Sequence, residues 1–372
     1  MSEPIDWRTE LSAVDRYATI QALQESLSNN SMSEAMSIEA AAYADSISRE
    51  AYNAACKPQD TVPPSLHSEQ TENEDPGVTI RGHANCRFIS DGVTSEVYRT
   101  SENFALKVIT SPNNMEPHNP QREIKVLNSL SHKTIIQLIN TFRDEEQRLV
   151  LVFPFMPLTL ATLLETGTPT KARTTTIFTD ILNGLSYIHS IGIIHRDIKP
   201  SAILLKSADG PALLSDFGTA WHPEFSKSSE APDNKILDIG TGPYRSPETL
   251  FVDKSYSTAV DMWSLGVMLA EAVTNPPKPP FESRPAHEDG NQLGLILSIF
   301  KTLGTPTPEI WPEAKNFRVS PFEMWNVFPS RTWTEILPTI DPEFRDIITK
   351  TVTYGGRATA ADTLNHAPFS PK

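Results

Sequence analysis

HRDIKPSAILL, residues 195–205, decides how this chain reads. Asp197 stands two positions before Lys199, and Pro200 follows, so one loop brings a carboxylate and an ammonium together. The carboxylate suits a hydroxyl nucleophile whose proton must be oriented or accepted; the ammonium neutralises charge on the group being transferred. Nineteen positions after Asp197 comes Asp216-Phe217-Gly218. Hard divalent cations select carboxylate oxygen, which Asp216 offers.

Working outward, 372 residues with 38% hydrophobic content suffice for two lobes and an appendage. The net charge of -14 is uneven, because residues 1–78 hold 14 acidic and 4 basic side chains and only -4 remains for the rest. No Lys/Arg cluster appears, so nucleic acid is not expected as a partner. Cys56 and Cys86 are too few for a disulfide framework or a zinc site, which implies a reducing compartment. The start MSEPIDWRTE has no basic and apolar leader pattern, and the longest apolar stretch, near residues 149–158, is far below a membrane span. A soluble protein of cytoplasm or nucleus, without membrane partners, is expected.

Ala13, Tyr17, Ile20, Leu23 and Leu27 form one apolar stripe at helical spacing. A second helix is expected from the capping pair Ser31 and Glu34 to about Ala55. A helical extension is therefore read at 1–56 and a linker rich in Pro, Ser, Asn and Glu at 57–78. Between Thr79 and Glu145 the β-rich runs CRFIS, SEVYR and FALKVIT surround one helical segment, Pro120 to Leu130. After about Leu158 helical patterns dominate. The expected fold is α+β and bilobal, with a small β-rich lobe at 79–157 and a large helical lobe at 158–372.

The 195–205 and 215–218 segments resemble the catalytic loop and magnesium-binding segment of protein kinases. That resemblance implies ATP and Mg2+ as cofactors, Asp197 and Lys199 as catalytic residues, and Asp216 as the metal ligand. Lysine two positions after the aspartate resembles the serine/threonine class. Kinases place an asparagine five positions after the catalytic aspartate to hold a second magnesium; here that position is Ala202. Their glycine-rich cover matches residues 90–97, where only the middle glycine, Gly92, is kept and Val97 would close over adenine. Ala105 and Lys107 match the strand whose lysine holds the α- and β-phosphates, and Glu123 in QREIKVL is the carboxylate that would orient it. Leu127, one turn further along that helix, is expected near Phe217. LVLVFPFMPL, 149–158, reads as a strand entering the interlobe hinge, with Phe153 as gatekeeper. Pro154 offers its carbonyl, Met156 can both donate and accept, and Leu204 forms the adenine floor. His195 and Phe217 read as packing residues, DMWSLG at 261–266 as the helix that anchors the catalytic loop, and Glu248 with Arg357 as a buried structural ion pair.

FALKVI, REIKVL, YIHSIGIIHRDIKP, YRSPE, VDMWSLGVMLAE and LGTPTPEIWPE resemble cyclin-dependent kinases over about residues 84–370. Within that branch, DGVTSEVY, GPALLSDFGTAWHP, IGTGPYRSPETLF, WTEILP and VTYGGRA look like fungal single-subunit kinases that activate cyclin-dependent kinases. The resemblance implies an enzyme that phosphorylates the activation loop of another kinase as a monomer. PHNPQRE replaces the helix that cyclins grip, so cyclin is not expected as a partner. The usual activating threonine falls at Ile236, and Asp238 is expected to offer Arg196 a fixed charge instead. Thr241 matches the threonine that braces Asp197 and Lys199. Ser201 is a candidate to carry a hydroxyl toward the position of the missing asparagine, and Ser226, Ser228 and Ser229 are polar loop residues or sites of modification. The rival reading, a scaffold that binds kinases without phosphotransfer, rests on Ala202 and the thinned glycine loop.

Overall fold

The computed structural model describes residues 77–92, 94–111, 116–283, 291–323 and 326–370, with only the backbone of Asn291. The helices expected at 1–56, and all but the last two residues of the linker, lie outside them. Within the unit Asp75–Lys372, a small lobe is built on one antiparallel sheet. Its strands are β1 (Val78–Ile80), β2 (His83–Asp91), β3 (Ser95–Arg99), β4 (Phe104–Ile109), β5 (Asn140–Arg143) and β6 (Leu149–Pro154), in the order β1-β2-β3-β4-β6-β5. FALKVI shows how alternation assigns the faces. Leu106 and Val108 are fully buried with Ile80, Cys86, Val150 and Val152 in the lobe's own core. Ala105 and Ile109 turn the other way, toward Leu151, Phe153 and the main core.

Helix α1 (Pro120–Ser129) lies in the small lobe. Pro120 suits its first turn, where a missing N–H costs nothing, and the Asn119 side chain caps it by accepting from the Arg122 N–H at 3.0 Å. Asn119 N–H also donates to the Gly218 carbonyl at 3.0 Å, fastening the helix start to the Asp216-Phe217-Gly218 turn. Leu127 and Phe217 belong to one core.

The large lobe begins with β7 (Leu158–Thr159), α2 (Leu160–Glu165) and α3 (Lys171–Ser190). A second sheet, β7-β8-β9, adds β8 (Ile203–Leu205) and β9 (Ala212–Leu214). Then follow α4 (Pro247–Leu250), α5 (Ala259–Val273), α6 (Asn291–Leu303), α7 (Trp333–Ile336), α8 (Pro342–Thr351) and α9 (Ala360–Leu364). Helix α5 is apolar around nearly its whole circumference and runs through the core with Met262, Trp263, Leu265 and Met268 buried. At Gly266 a Cβ would collide with Thr351 and Val352, so α5 and α8 approach too closely for any side chain there.

Arg357 binds both oxygens of Glu248, with its Nη2 at 3.0 Å from Oε2, and its guanidinium carbon lies 4.9 Å from the Trp263 ring centroid. Their side chains are 2% and 10% exposed, so deleting either strands the other charge in the interior. Arg357→Ala is expected to destabilise the lobe by about 3–5 kcal/mol, lowering Tm by on the order of 10 °C in a calorimetric scan.

Candidate active site

Strand register builds the cleft. Val97 pairs with Lys107 across β3 and β4, and Ala105 with Phe153 across β4 and β6, which sets these four residues on neighbouring rungs. Leu204 pairs with Thr159 and Leu213 in the second sheet below. Pro154 closes β6 opposite Phe104, and Met156 lies two residues beyond, packed on the core. In the β2–β3 turn Gly92 N–H donates to the Ser95 carbonyl at 2.7 Å. A Cβ at Gly92 would find its nearest neighbour at 3.8 Å, so the fold itself leaves room there for a side chain.

Lys107 of β4, Glu123 of α1 and Asp216 after β9 meet one another. Lys107 Nζ donates to Glu123 Oε1 at 2.8 Å, to Glu123 Oε2 at 3.0 Å and to Asp216 Oδ1 at 3.0 Å. Burial pulls the Lys107 pKa down, but Asp216 and Glu123 outweigh it, and the ammonium titrates above its ordinary value. Lys107 in turn holds the Asp216 carboxyl well below the usual carboxylate range. The Asp216 side chain remains 44% exposed beside this cation, and its backbone adopts the left-handed region at φ 60°.

A second constellation lies on the catalytic loop. Lys199 Nζ donates to Asp197 Oδ2 at 2.6 Å and to Thr241 Oγ1 at 3.1 Å; Thr241 hydroxyl donates to Asp197 Oδ1 at 2.7 Å. The loop is held from behind by Asp261 on α5, which accepts from the N–H groups of His195 and Arg196, each at 2.8 Å, and lies 2.9 Å from His189 Nε2. His195 is fully buried, 2.8 Å from the Ser215 carbonyl, with its ring edge-on to Phe217 at 4.8 Å.

Ala202 is buried, and its carbonyl accepts from the Ser215 N–H and hydroxyl. The residues fit magnesium and nucleotide phosphates in part: Asp216 supplies an ionised, accessible oxygen and Lys107 a fixed cation, whereas Ala202 has no ligand atom. Among the described residues no cluster of three or more His, Cys, Asp or Glu could hold a metal alone, so a magnesium held by Asp216 would take its other oxygens from water or the nucleotide phosphates. Ser201 lines a cavity with Lys199, Thr241 and Glu271.

The fixed charge beside Arg196 is Glu230, which corrects the expectation of Asp238. Asp238 is 86% exposed and pairs with Arg245 at 3.0 Å. Glu230, 1% exposed, accepts from Arg196 Nη1 at 2.6 Å and Nη2 at 3.1 Å, from Arg122 Nη1 of α1 at 3.5 Å, and from the Ile236 N–H at 3.0 Å. Burial pushes the Glu230 pKa up, but the bonds from Arg196 lower it on balance. Ser226 is itself buried and accepts from the His222 N–H, whereas Ser228 and Ser229 are exposed. Position counting from Glu248 missed Glu230, because the loop folds back between Trp221 and Tyr256. Trp221 Nε1 donates to the Glu230 carbonyl at 3.1 Å. His118 was also missed: half-buried before α1, it feels Asp216 and Asp197, yet burial holds its pKa down.

A family model described as protein kinase domain matches residues 86–369. The chain belongs to the protein kinases. The kinase is 35% identical to the serine/threonine-protein kinase csk1 of Schizosaccharomyces pombe over 294 residues, 76% of this chain and 92% of that one. It is 30% identical to cyclin-dependent kinase 12 of Caenorhabditis elegans over 353 residues, 83% of this chain, and spans 46% of that protein's length. Among solved structures, the CAK complex of Chaetomium thermophilum bound to ATP-gamma-S aligns with a TM-score of 0.63 at 28% identity, covering 76% of this chain and 88% of that one. The yeast RNA polymerase II CTD kinase CTDK-1 complex aligns at 0.65 and 23% identity, covering 83% and 98%, and shares the fold. The kinase is thus a serine/threonine enzyme of the cyclin-dependent-kinase type, a family that uses ATP and Mg2+. Both solved neighbours are complexes, so the expectation of a partner-free kinase finds no support in them.

Ala202→Asn restores a ligand type at the altered position. The magnesium concentration giving half-maximal activity is expected to fall about tenfold, the worth of one charge-assisted contact. A magnesium titration of initial rates checks it.

Proposed function

We propose that this kinase phosphorylates the activation segment of cyclin-dependent kinases and does so as a single chain, without a cyclin. The observation that carries the reading is a set of ion pairs within one chain that ties α1 to the catalytic loop: Glu123 on Lys107, with Arg122 of the same helix on Glu230, and Glu230 on Arg196 of the catalytic loop. Two guanidinium groups converge on a carboxylate in the segment where such kinases otherwise take up phosphate.

In this reading Asp197 orients the substrate hydroxyl and takes up its proton, with Thr241 and Lys199 fixing one carboxylate oxygen each. Lys199 also neutralises charge on the phosphoryl group. Lys107, oriented by Glu123, holds the nucleotide phosphates, and Asp216 is the metal ligand. Bound magnesium would neutralise phosphate charge. Gly92 allows the cover to approach; Val97, Ala105, Phe153 and Leu204 enclose the adenine, and the main chain of Pro154 and Met156 reads its edge.

The test is transfer from ATP by the purified chain to a cyclin-dependent kinase, with the site mapped by mass spectrometry. Phosphate on the activation-segment threonine, at a rate changed less than twofold by added cyclin, is the expected result; transfer only with cyclin, or elsewhere on the substrate, overturns the reading. The scaffold alternative is favoured by Ala202. It predicts thermal stabilisation by ATP without magnesium, and no turnover.

A further inference from the structure

His118 belongs to neither charged cluster of the cleft, yet both act on it. It directly precedes Asn119, whose N–H is bonded to the Gly218 carbonyl at 3.0 Å. Gly218 in turn lies against the first cluster: a Cβ there would meet Asp216 Oδ1 and Glu123 Oε2 at 3.5 Å and Lys107 Nζ at 3.7 Å. The backbone on either side of His118 is clamped without help from its ring. Arg122 pairs with Glu116 at 2.9 Å and donates to the Pro117 carbonyl, and the Asn119 side chain caps α1. The imidazole itself is half-buried and has no hydrogen-bond or ion-pair partner among the described residues. Burial has the largest influence on the ring and favours its neutral form; the charges acting on it are Asp216 and Lys107 of one cluster and Asp197 and Lys199 of the other. An imidazole carries an N–H whether neutral or protonated, so a donor is present in either state.

Lys107 serves the inner phosphates and Asp197 the hydroxyl, so the group that must lie between the two clusters is the terminal phosphoryl. We propose that the His118 ring N–H donates a hydrogen bond to the terminal phosphate of the bound nucleotide and so holds it between Asp216 and Asp197 for transfer. Ala202 offers no ligand atom for a second cation, which leaves a direct donor more to do in positioning that phosphate. The proposal rests on the phosphotransfer reading above and adds one contact to it.

The test compares, by calorimetry at saturating magnesium, dissociation constants for ADP and for AMP-PNP, which keeps a terminal phosphate but is not turned over. His118→Ala and His118→Phe, the second retaining ring volume without an N–H, are each expected to weaken AMP-PNP about tenfold and ADP less than about twofold, the worth of one hydrogen bond to a charged group. His118→Gln, whose amide N–H replaces the donor, is expected to stay within about threefold of wild type for both nucleotides. In steady state, alanine and phenylalanine variants lose about tenfold in kcat with KM for the protein substrate unchanged, and the glutamine variant recovers most of it. A merely structural effect reads differently: loosening α1 would free Lys107 from Glu123 and weaken ADP and AMP-PNP together. Equal losses for the two nucleotides, no loss for either, or a loss in His118→Gln as large as in His118→Ala overturns the contact. The AMP-PNP difference in a wild type that transfers no phosphate keeps the contact and overturns the transfer reading.

Discussion

Asp197→Asn is expected to lower kcat about a thousandfold while Tm and ATP affinity stay near wild type. The change is isosteric, and the neighbours that hold this side chain remain. Thr241 hydroxyl can still donate to the amide oxygen, and the N–H groups of His195 and Arg196 still bond to Asp261, so the loop keeps its course. What is lost is the acceptor for the substrate proton and the negative charge facing Lys199 at 2.6 Å. Proton transfer by a positioned side chain contributes roughly 10²–10⁴-fold, which sets the size of the effect. Single-turnover phosphorylation with saturating ATP, beside a thermal melt, is the measurement. Equal transfer by wild type and variant would remove Asp197 from the chemistry.

Glu230→Gln is expected to cut kcat/KM by on the order of a hundredfold, through position rather than chemistry. An amide keeps the shape but leaves Arg196 facing a neutral group in the interior, while Arg122 keeps its ion pair with Glu116 at 2.9 Å; breaking such a buried pair costs about 3–5 kcal/mol. The cost falls on the state in which α1 and the catalytic loop are held together, so Lys107–Glu123 pairing should loosen and the 222–245 segment should exchange amide hydrogens faster. Asp238→Asn is the control: that exposed carboxylate pairs with Arg245 and its loss should change kcat/KM less than twofold. The clamp has a pH signature as well. Glu230 titrates lower in the folded protein than in the unfolded chain. Its stabilisation is therefore complete above the ordinary glutamate pKa of about 4.3 and is lost as pH falls through the lower folded value. Activity near neutrality should be insensitive to it.

Much of the site was legible because its chemistry requires fixed residue types at fixed separations along short segments. Lys107 and Glu123 lie on a strand and a helix whose periodicities are plain, and Asp197, Lys199 and Asp216 sit in contiguous motifs. Pairs such as Glu248 with Arg357 were legible for the same reason. Glu230 was not, since its partners are 34 and 108 residues away and it sits in an irregular loop without period. Counting positions assumes a loop of standard length, and Glu230 reaches Arg196 only because the segment doubles back. The cavity at Glu271 was hidden in another way: α5 reads as uniformly apolar core, and only packing shows that its last turn borders solvent beside Lys199.

The connection between the lobes carries a mechanical consequence. Phe155 N–H donates to the Asn103 carbonyl at 3.0 Å, and the Arg99 guanidinium lies 4.3 Å from the Phe155 ring centroid. The first half of the connector is thereby bolted to the β3–β4 turn and must travel with the small lobe. Pro154 and Pro157 each fix φ near -65°, and each restricts the residue before it to extended backbone. Few soft torsions are left for one lobe to swing against the other, and beyond Phe155 the least restricted is ψ of Pro157. If the main chain of Pro154 and Met156 reads the adenine edge as proposed, a bound base would itself brace this joint.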